Sequence, residues 1–80
     1  VDNLEKWKEL APFLASFEAI GNDGVVAIVK VDGLRENNRF TVVLSGGKLV
    51  ESPFRMDGDE LRVLLEQAIA FYASFKGVAK

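Results

Sequence analysis

An 80-residue chain with no cysteine has no disulfide to staple it and must fold on apolar burial. A domain of this size hides only about 60% of the surface its unfolded form exposes, so each apolar segment needs a neighbour. Histidine is absent too. Thiol nucleophiles, Cys/His zinc sites and imidazole acid–base chemistry near neutral pH are thereby excluded. Self-association is the usual remaining aid for so small a chain. The apolar fraction, 49%, is that of a folded domain. Residues 1–80 read as one domain.

Charge narrows the partners. The net charge is −2 with 28% charged residues, so the two signs nearly cancel. Such a balance argues against nucleic acid held by bulk charge. Val1 to Lys8 carries both signs and begins an amphipathic pattern, so no targeting segment is expected there. The longest apolar stretch, Val25 to Val29, falls far short of the roughly 20 residues of a membrane span. The expectation is a cytoplasmic protein without a membrane partner.

Leu4, Trp7, Leu10, Ala11, Leu14 and Phe17 recur at helical spacing, which predicts a helix over 2–20 capped by Asp2 or Asn3. Pro12 lies inside it and predicts a kink, or two short helices with Pro12 opening the second. Gly21-Asn22-Asp23-Gly24 ends this segment. Val25 to Val31 is a dense β-branched strand, and residues 39–45 alternate as a second. Gly46-Gly47 signals a hairpin. Residues 48–54 read as the third strand, with Pro53 marking an edge or an end. Asp57 and Glu60 form a capping-box-like pair before an apolar run, so a second helix is expected over 58–75, closed by Gly77. Its apolar stripe is wider than one sheet face normally covers. The order is α-β-β-β-α. The economical fold is α+β, a three-stranded antiparallel meander with both helices on one face.

Hairpin register decides what the open face carries. A three-residue loop, Gly46 to Lys48, pairs Leu44 with Val50 and Phe40 with Phe54 and keeps Glu51 in water. The open face then holds Val26, Ile28, Lys30, Thr41, Val43, Leu49 and Glu51. Contiguous apolar side chains of this kind mark interaction sites. The expected partner contacts are Val26, Ile28, Val43 and Leu49, with Lys30 and Glu51 at the rim.

Other candidates have simpler readings. Asp57-Gly58-Asp59-Glu60 lacks the alternating oxygens of a calcium loop and suits a helix N-terminus. Gly46-Gly47-Lys48 lacks phosphate-loop spacing and leads into a strand. Lys30, Arg35, Arg39 and Lys48 are interleaved with Asp32, Glu36 and Glu51, a mixed solvated surface. Trp7 and Tyr72 suit core or interface packing. A carboxylate-only enzyme would need two of Glu18, Glu36 and Glu51 to converge in a pocket, which no spacing here enforces.

The element order resembles that of the double-stranded-RNA-binding domain over most of the chain. That family opens its last helix with lysines that grip phosphate. The matching stretch, Phe54 to Arg62, offers Asp57, Asp59 and Glu60 instead. The resemblance implies topology only, and no RNA-binding residue carries over. The function expected from sequence is a non-catalytic protein-interaction or regulatory module, self-associating as a homodimer. An inhibitor or immunity-type protein that blocks an enzyme is the alternative, and a nucleic-acid binder ranks below both. No cofactor, metal or small-molecule ligand is expected.

Overall fold

The computed structural model describes the backbone of residues 2–78 and the side chains of residues 4–75. The expected caps Asp2 and Asn3 fall outside the described side chains. The elements are α1 (Asp2–Lys8), α2 (Ala11–Asn22), β1 (Val26–Val31), β2 (Phe40–Ser45), a 3-10 turn at Gly47–Leu49, β3 (Phe54–Gly58) and α3 (Leu61–Val78). The strands form one antiparallel sheet in the order β1-β2-β3. The α-β-β-β-α order and the α+β class are those the sequence pattern predicts.

Pro12 splits the N-terminal helical pattern in two. It lies in the first turn of α2, where a backbone N–H has no helical acceptor to lose. Beyond the break, Leu10, Phe17 and Ile20 are buried. Before it, Leu4 and Trp7 remain exposed, so the stripe of α1 is only loosely covered. The chain leaves α2 through Gly24 at φ 91°, a left-handed conformation that glycine adopts without strain.

α2 packs over β1, α3 packs over β2 and β3, and the two helices touch. They share one face of the sheet. Val42 and Leu44 from β2 meet Leu61, Leu64, Leu65, Ala68 and Tyr72 from α3 in a single core. Phe54 of β3 lies against Phe71, ring centroids 5.3 Å apart. The Tyr72 hydroxyl donates to Asp23 Oδ2 at 2.6 Å, tying α3 to the turn before β1.

The third strand departs from expectation. It begins where the sequence pattern placed its end, and Leu44 pairs with Phe54, Val42 with Met56 and Phe40 with Gly58. Residues 46–53 are a connection, not a tight hairpin. Two causes are visible. Leu49 is fully buried in the helix-covered core, which anchors the connection inward. Gly47 sits at φ 52° with its Cα so close to the α2–β1 turn that a Cβ would lie 2.7 Å from the Gly24 carbonyl oxygen. The glycine pair therefore serves close backbone approach as well as turning. Pro53 precedes β3 rather than ending it, a position that needs no ladder donor, and β3 is an edge strand, the other place expected for it.

The start of α3 moves accordingly. Asp57 and Gly58 belong to β3, so Asp57 is not a helix cap. Gly58 faces α3, where a Cβ would meet Leu64 Cδ2 at 3.1 Å. The Glu60 carbonyl accepts the first helical N–H bonds, from Val63 and Leu64. At the other end the helix runs through Gly77 rather than stopping there.

Candidate functional site: the helix-free face of the sheet

Opposed residues of an antiparallel pair point to the same side. The observed register therefore puts Val26, Ile28 and Lys30 of β1, Thr41, Val43 and Ser45 of β2, and Arg55 and Asp57 of β3 on the face without helices. Of the expected contact residues, Val26, Ile28, Lys30 and Val43 do share this face. Leu49 and Glu51 do not. Leu49 lies in the core on the other side, and Glu51 is exposed in the β2–β3 connection. Arg55 and Asp57 occupy the β3 part of the face instead. Their signal was the alternation Phe54-Arg55-Met56-Asp57-Gly58, which the capping-box reading of Asp57 concealed.

The face has two halves. One is apolar: Val26 is 53% exposed, Ile28 is 45% exposed, and Val43 lies half-buried across from Ile28. The other is a charged lattice around Thr41 and Asp57. The Thr41 hydroxyl donates to Asp57 Oδ1 at 2.5 Å. Arg35 and Arg55 approach the same carboxylate at 3.5 and 3.6 Å. Arg35 also reaches Asp32 at 3.2 Å, with Lys30 at 3.8 Å. Thr41 first, and then the two guanidinium groups, hold the Asp57 carboxyl below its ordinary range against partial desolvation. Cations and carboxylates are interleaved here, so the lattice compensates itself and offers no concentrated charge to a foreign ion.

A second concavity lies between α1, the end of the sheet and the start of α3. This cleft of about 530 Å³ has Trp7, Leu10, Phe40 and Leu61 among its apolar lining. Trp7 meets Phe40 edge-on at 6.5 Å while staying partly exposed, so its ring rests against the rim of the fold. Lys6 of α1 reaches Glu60, just before α3, and Arg62 of α3 reaches Glu9, just after α1, each at 3.9 Å across the cleft. Asp59 is engaged by the Asn38 N–H at 2.6 Å. These groups fasten α1 across the mouth, and none converges on a point inside.

Among the described residues no group of three or more acidic side chains is placed to hold a metal ion. No described helix is long and apolar enough to cross a membrane. No protein-family model, curated protein sequence or solved structure matches the chain.

Proposed function

We propose that this protein is a non-catalytic interaction module that binds protein through the β1 side of its helix-free sheet face, and that its first partner is a second copy of itself. The observation that supports this is the exposure of Val26 and Ile28 beside Val43 on a face that no described helix covers. Clustered apolar side chains of this kind lower their free energy when another surface removes them from water. The adjoining charges are paired among themselves, which disfavours a strongly charged partner and leaves a near-neutral one, such as this chain. A chain that can hold no disulfide suits the reducing cytoplasm, where the proposal places it. The acidic Asp59-Glu60 step before α3 counts against the RNA-binding alternative, because carboxylates there would repel phosphate.

Sedimentation equilibrium over a dilution series tests the reading. A dimer is expected, and Ile28→Lys should weaken it by ~10-fold or more, since it places a cation among the β1 side chains that meet the second copy. The far-UV spectrum should be retained, because Ile28 is 45% exposed and a lysine there can reach water. A dimerisation constant indifferent to this substitution would sink the assignment.

A further inference from the structure

The way β1 is hydrogen-bonded says how two copies would meet. The Asp32 N–H donates to the Arg39 carbonyl at 2.7 Å, and these two residues continue the β1–β2 register. Hydrogen-bonded pairs alternate with non-bonded ones along an antiparallel ladder. Counting back from Asp32, the even residues Val26, Ile28 and Lys30 spend their backbone groups on β2. The odd residues Ala27, Val29 and Val31 aim theirs outward, at the free edge of the sheet.

This edge carries little of the protection usual on exposed strands. β1 has six residues, no proline or glycine, and Lys30 as its single charge. Lys30 is already 3.8 Å from Asp32. Besides the exposed Val26 and Ile28 on the open face, Val29 and Val31 on the helix side are 37% and 56% exposed. Helix α2 does not reach far enough over the edge to hide them. Unpaired strand edges of this composition are templates for another strand.

We propose, building on the self-association reading above, that β1 pairs antiparallel with β1 of a second copy about a two-fold axis through Val29. The three-stranded sheets then join into one continuous sheet of six strands. The outward residues are spaced symmetrically about Val29. An axis there pairs Val29 with itself and Ala27 with Val31, so every outward donor and acceptor of both strands is used. The helix-side contacts are aliphatic throughout. On the open face Ile28 of each copy lies opposite Lys30 of the other, which keeps the two lysines off each other and lets their methylene stems extend the apolar surface. The two Val26–Ile28–Val43 patches become neighbours across the seam. A registry centred on Ile28 leaves the outward groups asymmetrically used, and a pairing that opposes odd with even residues turns one sheet face over.

The absence of native cysteine makes the test clean. Ile28→Cys and Lys30→Cys chains, each with a single thiol, are mixed at concentrations where the natural chain sediments as a dimer and are oxidised mildly. In the proposed registry positions 28 and 30 form a non-bonded pair with Cα atoms roughly 4.5 Å apart, within disulfide reach. Like positions are diagonal, about 7–8 Å apart. The mixed disulfide should form about 10-fold faster than either symmetric one. Rapid 28–28 linkage of Ile28→Cys alone, from a chain that still dimerises, would overturn the Val29-centred pairing in favour of an Ile28-centred edge or face-to-face packing and leave the interaction reading standing. A natural chain that stays monomeric throughout the series overturns the edge proposal and self-association with it. Far-UV spectra of both variants establish that the thiols sit on folded protein.

Discussion

On its β3 side the sheet ends in five residues that start after Pro53 and carry Arg55 and Asp57; on its β1 side it ends in six residues with one charge. The same alternation that frees Ala27, Val29 and Val31 leaves Arg55 and Asp57 as the outward positions of β3. The backbone groups at that edge are thus flanked by a guanidinium and a carboxylate, and Pro53 supplies no donor. Charge, proline and shortness are the usual means of keeping an edge from pairing. One edge of this molecule uses all three, and the other uses a single lysine already turned toward Asp32. Both edges flank the same central strand and the same core, so the difference between them bears on association rather than on folding.

The largest effect is expected from removing what keeps β3 short. Leu49 anchors the β2–β3 connection in the core and so fixes where the third strand begins. Leu49→Ala should cost about 2–5 kcal/mol in urea unfolding, the range for truncating a buried leucine. Its mark on local stability should be uneven. Amide exchange should speed up first at β3, whose entry depends on the anchored connection, and later at β1. Equal acceleration of both strands would mean that the connection does not set the protected edge.

The next effect is on association. Proline at position 29 removes an outward N–H that no described strand uses, and edge strands tolerate such a residue. In the proposed dimer the same change deletes both hydrogen bonds of the central self-pair. At about 0.5–1.5 kcal/mol net per bond, Val29→Pro should weaken dimerisation by roughly 5- to 150-fold while the monomer keeps its fold. Ile28→Pro is the phase control. The Ile28 N–H points to β2, so that substitution should break the β1–β2 ladder and lower the stability of the monomer itself. Circular dichroism with sedimentation separates the two outcomes. If both variants damage the fold alike, the assignment of inward and outward residues on β1 is wrong.

Composition and periodicity were enough for the element order, because helix, strand and turn signals here agree with the fold they build. Alternation placed Val26, Ile28 and Lys30 on one face of β1, and giving Val42 and Leu44 to the core put Val43 on the same side. The third strand was illegible for a physical reason. Gly46-Gly47 satisfies hairpin chemistry and also a close approach to Gly24 that only the tertiary fold reveals. Asp57 suits a helix cap and equally a strand position opposite Thr41. Where one residue type meets two local rules, the long-range contact decides, and for Leu49 that contact was the core. The free edge of β1 was likewise beyond sequence, because it depends on which strand lies in the middle.

The smallest effect lies on the charged half of the open face, and it reads the environment of the protected edge directly. Thr41 is 2% exposed, and its hydroxyl is the leading influence that lowers the Asp57 pKa from its ordinary 3.8, with Arg55 and Arg35 adding to it. A carboxyl whose pKa is lowered by folding stabilises the native state at pH above its unfolded value. That contribution fades as pH falls through the folded value. Thr41→Val removes the hydroxyl and leaves both guanidinium groups in place. The Asp57 pKa should then rise part of the way back toward 3.8, seen in a carboxyl-resolved NMR titration. The stability lost between neutral pH and pH 3 should shrink correspondingly. An unchanged Asp57 titration in Thr41→Val would transfer its control to the arginines alone, and the β3 edge would then owe its charge pattern to Arg55 and Arg35 rather than to the buried hydroxyl of the central strand.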